Sequence, residues 1–277
     1  MGLVDFILNL AGLLLWLSWL SIPFDPLARA VPSTLPGTLR RAAPMRWKHW
    51  HFLASLGILL FVRAFFYWKI GGAVGWTARL NLIATSIPFQ SDFFRRMFVF
   101  SLLSFALTLA LFYLWLLFFA VVNNNTNDLM QKFARQLLGR PGRWPLWTLP
   151  FLPIIVAILA WLVLNPFLAW MNILPGSPLT TRVEQGTVLG FSSFLSWKYL
   201  IGTVLALHIV NSYIFLGNHA VWDFVNLTSR RLMRPLKKLP LEIGKVDFTP
   251  IIVIVIVFLT AEGATRGAVA LYSHLSR

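Results

Sequence analysis

Six apolar runs, at about residues 3–22, 52–70, 97–122, 148–171, 198–217 and 249–273, punctuate this chain. Each reaches or approaches the roughly 20 residues that a helix needs to cross about 30 Å of hydrocarbon. Lipid offers no hydrogen bonds to the backbone, so such runs must fold as helices. This predicts an all-α polytopic membrane protein with about six transmembrane helices. Composition agrees: 58% of residues are hydrophobic and 12% charged, against roughly 25% charged in ordinary globular domains. The first run has no Lys or Arg before it, carries Asp5 and ends in bulky Trp19 and Leu20. It reads as a span and not as a cleavable signal peptide.

Net charge is +15, which in a soluble protein would invite a nucleic-acid reading. Here the Lys and Arg sit mainly beside spans, where they orient the chain and meet anionic headgroups, so no nucleic-acid partner is expected. Five (Arg29, Arg40, Arg41, Arg46, Lys48) fall between spans 1 and 2, and four (Lys132, Arg135, Arg140, Arg143) between spans 3 and 4. Six more (Arg230, Arg231, Arg234, Lys237, Lys238, Lys245) fall between spans 5 and 6. The positive-inside rule puts these loops in the cytoplasm and both termini outside. Lys69, Arg79, Arg95 and Arg96, between spans 2 and 3, count against that orientation. Tryptophans cluster at run ends (Trp16, Trp19, Trp47, Trp50, Trp68, Trp144, Trp147, Trp170, Trp197, Trp222), as an indole that prefers the headgroup level would. The chain has no cysteine, which excludes disulfides, thiolate metal sites and Cys nucleophiles.

The order span, basic segment, Pro-containing turn, span recurs, which divides the chain into three hairpins over 1–72, 97–173 and 197–273. Leu129-Met130 matches Leu232-Met233, and Pro153-Ile154-Ile155-Val156 matches Pro250-Ile251-Ile252-Val253. Within residues 219–239, Val221, Phe224, Val225, Thr228, Leu232 and Leu236 recur at helical spacing and draw an apolar stripe. Arg230, Arg231, Arg234, Lys237 and Lys238 flank it, so the segment is expected to lie in the membrane interface. Its cations would contact lipid or a partner, or simply anchor the hairpin. Pro235 should kink or end the helix. Beyond it, Gly244 allows a tight turn, Thr249 is placed to cap the next helix, and Pro250 suits that helix's first turn.

The stretch RLMRPLKKLPLEIGKVDFTPIIVIVIVFL resembles the signature of the YggT family of small bacterial membrane proteins, which has plastid relatives. Arg234, Pro235, Lys237, Lys238, Pro240, Gly244, Val246, Asp247, Phe248, Thr249 and Pro250 match its pattern, with Thr249 standing where Ser is usual. The likeness covers about residues 197–273 and is weaker over 1–70 and 97–172. It implies a place in the bacterial cytoplasmic membrane and a non-enzymatic role in membrane assembly, cell division or osmotic tolerance. Three hairpins depart from the usual one or two.

Ionisable residues inside spans ask for a reason. Glu262 and Arg266 are four apart on span 6 and form either a self-neutralising pair or, with Arg63 reaching across to Glu262, part of an ion path. His208, beside Asn211, is expected to make an interhelical hydrogen bond, since no second in-span histidine offers a matching haem ligand. No glycine-rich phosphate loop, HExxH, GxSxG or convergent carboxylate pair is present in the sequence. The reading is a membrane scaffold or assembly factor without cofactor or metal, partnered by anionic lipid and other membrane proteins, with homo-oligomerisation open. The alternative is a small-ion transporter or channel lined by Arg63, His208, Glu262 and Arg266.

Overall fold

The computed structural model describes residues 2–20, 49–123, 135–139, 144–145, 147–214, 220–236, 242–243 and 246–275. In chain order it contains α1 (Gly2–Trp19), α2 (His49–Val74), β1 (Thr77–Asn81), β2 (Ser86–Gln90) and α3 (Phe94–Val122). There follow α4 (Phe151–Trp170), α5 (Leu179–Ser193), a 3-10 turn (Phe194–Ser196), α6 (Trp197–Tyr213) and α7 (Ala220–Met233). A second 3-10 turn (Arg234–Leu236), strands β3 (Glu242–Ile243) and β4 (Val246–Asp247), and α8 (Thr249–Leu275) complete it. Six stretches are long and apolar enough to cross a membrane: Gly2–Trp19, Trp50–Val74, Phe94–Val122, Phe151–Trp170, Leu179–Tyr213 and Thr249–Leu275. Large apolar side chains point outward along them, among them Ile58 and Phe66 on α2 and Leu159 and Val163 on α4. Water would make such surfaces costly, and acyl chains make them favourable. The chain is an all-α, multi-pass membrane protein.

It divides into two compact units, Met1–Ala78 with Phe89–Leu109, and Arg79–Pro88 with Ala110–Arg277. In the first unit α1 packs on α2. Leu56 and Leu60 of α2 meet Phe105 of α3, with Leu15, Trp16, Leu59 and Leu109 packed around them. Gly12 makes this approach close, because a Cβ there would lie 2.8 Å from the Phe105 ring.

In the second unit Phe118 of α3, Leu200 and Val204 of α6, and Val225 of α7 form one core cluster. Leu205, Met233 and Val253 form another, joining α6, the end of α7 and α8. The second unit also holds the tightest helix pair, α4 with α5. Gly186 and Gly190 sit one turn apart on α5, and a Cβ on either would come within 2.9 and 2.8 Å of the Ile158 and Ile154 Cα atoms. This is the small-xxx-small contact of membrane helices, where van der Waals packing replaces the hydrophobic effect. Asn172 reverses the chain between them. It lies in the left-handed region at φ 54, with Ile173 N–H donating to Leu168 O and Asn172 N–H to Ala169 O, the Schellman arrangement at a helix C-terminus.

Sequence and structure part company at four places. The fifth span begins at Leu179, well before residue 198, as α5, a 3-10 bend and α6 in series. Arg182, Glu184 and Gln185 dilute the hydropathy of α5, which is why it reads as loop. Serines make the bend: the hydroxyls of Ser192, Ser193 and Ser196 each donate to the carbonyl three residues back, a contact that competes with regular helix bonding. Residues 77–90 pair in a two-stranded sheet in which Ala78, Leu80, Ile87 and Phe89 alternate inward, while Arg79 points out. Trp197 is no interfacial anchor, since its Nε1–H donates to Leu114 O at 3.3 Å and its ring packs 5.0 Å from Phe118. Finally, the first backbone bond of α8 is accepted by Phe248 O, so buried Thr249 belongs to the first turn and is not the cap.

Glycine substitutions separate close contacts from open positions. Gly190→Ala should cost about 1–3 kcal/mol by overpacking α4, whereas Gly57→Ala, with nothing within 4 Å, should be neutral or stabilise by up to about 1 kcal/mol. Detergent unfolding followed by tryptophan fluorescence measures both.

Candidate functional site: polar groups inside the spans

The first unit encloses a charged network. Arg63 on α2 is 1% exposed. Its Nη2 donates to Asp5 Oδ1 at 2.5 Å and to Ser104 Oγ at 2.8 Å, and its Nη1 donates to Asn9 Oδ1 at 2.7 Å. Tyr67 Oη donates to the same Asp5 oxygen at 2.6 Å, and Asn9 Nδ2 to Ser104 Oγ at 3.2 Å. Helical spacing places every member: Asp5 and Asn9 stand one turn apart on α1, and Arg63 and Tyr67 one turn apart on α2. The guanidinium also lies 5.4 Å from the Tyr67 ring centre and 5.9 Å from that of Phe100, so the aromatic faces supply further electrostatic support. One turn before Arg63, Ser101 Oγ donates to Leu60 O at 2.9 Å, again joining α3 to α2.

Arg63 therefore pairs with Asp5, not with Glu262. The fork geometry of arginine explains the choice of residue, since several N–H groups can reach two helices at once. Asp5 balances the charge, and Asn9 and Ser104 satisfy donors that would otherwise face hydrocarbon. Chemically, the network is an ion pair with hydrogen-bonded neighbours that ties α1 and α3 to α2, with the buried Arg63 Nε left without a partner.

Glu262 and Arg266 stand together on α8, with Arg266 Nε 3.2 Å from Glu262 Oε1 and both side chains exposed. His208 of α6 joins Asn226 of α7, Nδ1 to Oδ1 at 2.8 Å. The interhelical role expected for His208 is the one it has here. Asn211 is partly exposed one turn further on.

The basic segment packs part of its apolar stripe on protein. Val225, Leu232 and Met233 on it pack against α3, α6 and α8, while Val221 on the same stripe is exposed. Two residues that look polar lie fully buried on that face. Thr228 Oγ1 accepts from Asn123 Nδ2 at 2.9 Å, and Ser229 Oγ donates to Val204 O at 3.3 Å. Arg231 turns inward to donate to Val122 O at 2.8 Å, placing a cation at the negative end of α3. Arg230 and Arg234 remain exposed. The α-helix ends at Met233, before Pro235, as that proline requires.

Beyond the proline, Ile243 pairs with Val246 and Glu242 with Asp247, and Phe248, Thr249 and Pro250 lead into α8, the last two buried. Lys237, Lys238, Pro240, Gly244 and Lys245 lie outside the described residues, as do Arg29, Arg40, Arg41, Arg46, Lys48, Lys132, Arg140 and Arg143. Among the described residues no group of three His, Asp or Glu could hold a metal ion.

Sequence reasoning singled out Arg63 but missed Asp5, Asn9, Tyr67 and Ser104 around it. The signal was available: Asp5 and Asn9 share one face of an otherwise apolar helix, a costly pattern unless a partner waits. Asn123 and Gln185 were missed as well, the latter accepting from Trp161 Nε1 at 2.9 Å. Compared with family models, with curated proteins and with solved structures, the chain matches none.

Removing one half of the buried pair should cost more than removing both. Asp5→Leu or Arg63→Leu alone should destabilise by about 3–5 kcal/mol, and the double variant by clearly less than either single one. An unfolding titration in lipid-detergent mixtures across this double-mutant cycle measures the difference.

Proposed function

We propose that the protein is a non-enzymatic membrane scaffold, a YggT-like assembly factor that positions other components of a bacterial cytoplasmic membrane. The observation that carries this reading is the use made of polar groups within the spans. Arg63, Asp5, Asn9, Ser104, His208, Asn226, Asn123 and Thr228 are engaged in ties between helices. That is the chemistry of a rigid framework. Exposed Arg230 and Arg234, at the end of α7, supply a cationic contact for anionic headgroups or an acidic partner. In this reading the basic loops are cytoplasmic, both termini are periplasmic, and anionic lipid and other membrane proteins are the partners.

The competing reading is a small-ion transporter, favoured by the single fact that the helices of the first unit hold an ion pair between them. A scaffold and a transporter respond differently to the same variants. Affinity capture from native membranes in mild detergent should recover a membrane complex, and Arg230→Glu with Arg234→Glu should reduce recovery at least about threefold. Proteoliposomes should show no ion flux, with or without Glu262→Gln. Flux that Glu262→Gln abolishes, together with no captured complex, would contradict the scaffold reading.

A further inference from the structure

Four cations between spans 2 and 3 run against the positive-inside count, and the first unit brings two of them to one seam. α2 and α3 are antiparallel there: Phe61 lies 6.3 Å from Phe98, while Trp68, further along α2, lies 6.0 Å from Phe94. Phe61 is also 5.4 Å from Phe94, so these three rings mark the seam. Phe61, Phe65 and Lys69 follow one another at intervals of four on one ridge of α2. All three are exposed, Phe61 at 52% and Phe65 at 44%. Across the seam Arg95 is exposed about 100° round α3 from Phe94, on the side away from buried Phe100 and Ser104.

The heights agree as well. Ser101 Oγ donates to Leu60 O, which sets residues 60 and 101 level. Lys69 and Arg95 lie about 14 and about 9 Å from that level toward the same end, so they stand within about one turn of each other. They flank an aromatic groove near the ends of two membrane-spanning stretches, Trp50–Val74 and Phe94–Val122. Little in the protein answers this charge. Among the described residues neither Lys69 nor Arg95 joins an ion pair, and Asp92 is the only carboxylate between residues 64 and 109. Lys69 Nζ lies 4.4 Å from the Trp68 ring centre, and Trp68 is pinned by its Nε1–H, which donates to Asp92 O at 3.3 Å. Arg95 stands in the first turn of α3, which holds no acidic residue, so its cation meets the positive end of the helix dipole, an arrangement that an anion relieves. Arg96 is engaged elsewhere, donating to Gln90 Oε1 at 2.7 Å and lying 5.4 Å from the Phe93 ring centre.

We propose that this groove holds one anionic phospholipid of the adjoining leaflet, with its phosphate between Lys69 and Arg95 and one acyl chain along Phe61, Phe65 and Phe98. Two cations at one height favour a phosphate on a net negative headgroup and disfavour a zwitterionic one, whose ammonium they repel. The exposed aromatic floor favours a chain, which covers apolar surface that the headgroup alone would leave open. Long cationic side chains reach the phosphate level while their stems stay among the rings. The site gives the exceptional cations a local reason for their place, and it is independent of the scaffold reading.

Native mass spectrometry of the pure, full-length protein tests this, with the detergent micelles carrying phosphatidylglycerol or phosphatidylcholine. One phosphatidylglycerol should stay bound, and phosphatidylcholine should be retained at least about tenfold less. Lys69→Gln with Arg95→Gln should lower phosphatidylglycerol retention about tenfold or more, while Lys69→Arg keeps it. Arg79→Gln removes an equally exposed cation, on β1, and should leave retention within about twofold of the unaltered protein. Circular dichroism checks that each variant keeps its helices. Glycerol 3-phosphate, the headgroup without chains, should not displace the lipid. Equal retention of the two lipids would overturn the proposal by showing ordinary boundary lipid. A loss from Arg79→Gln as large as that from the Lys69 and Arg95 pair would show unlocalised charge, and displacement by glycerol 3-phosphate a site for free anions; either result would overturn it too.

Discussion

Lipid makes no hydrogen bonds, so every polar group that this chain carries into the bilayer must find its partner within protein. Arg63 is where that constraint bears hardest. A guanidinium buried in the first unit holds Asp5 and Asn9 of α1 and Ser104 of α3 from its position on α2. α1 buries little of itself apart from Gly12, so apolar packing alone gives it weak reason to stay beside its neighbours, since acyl chains are as apolar as its leucines. The ion pair supplies the direction and register that packing does not.

Among its described residues the second unit meets the same constraint without a buried ion pair. Its ties are hydrogen bonds, Asn123 with Thr228, His208 with Asn226 and Gln185 with Trp161, supplemented by the guanidinium of Arg231 on the Val122 carbonyl at the end of α3. Close backbone approach does the remaining work. At α4 and α5 two glycines let helix meet helix, and Pro166 within α4 is tolerated because the neighbouring helix and local polar groups stabilise the chain around it.

The spans were legible because hydropathy over twenty residues reports directly on what lipid accepts, and five of the six began and ended close to where the apolar runs do. α5 was not legible by that measure. Its Gly186 and Gly190 are informative only once a partner helix is known, and its Arg182 and Gln185 read as loop residues until Arg182 is seen to donate to Ser177 O and Gln185 to accept from Trp161. The strands at 77–90 are short alternating segments that a membrane protein's loops conceal. In the basic segment the stripe was legible, and protein packs on part of it, at Val225, Leu232 and Met233, because amphipathicity identifies which face is covered and not what covers it. Arg63 and His208 were visible as anomalies. Their partners were less so, since serine, asparagine and tyrosine are unremarkable residues until geometry assembles them.

The charge buried in the first unit ties its helices together, and the function proposed for the protein rests on that use. The claim comes down to whether the Arg63 network is dry. Ser104→Cys, near-isosteric and buried beside the guanidinium, provides the probe in a chain that otherwise has no cysteine. Treatment of the folded protein in sealed vesicles with a membrane-impermeant maleimide, applied to each side in turn, should leave this thiol unmodified while Ser86→Cys, exposed on β2, reacts from one side. Modification of Ser104→Cys from either side would place water at the network and contradict a purely structural role.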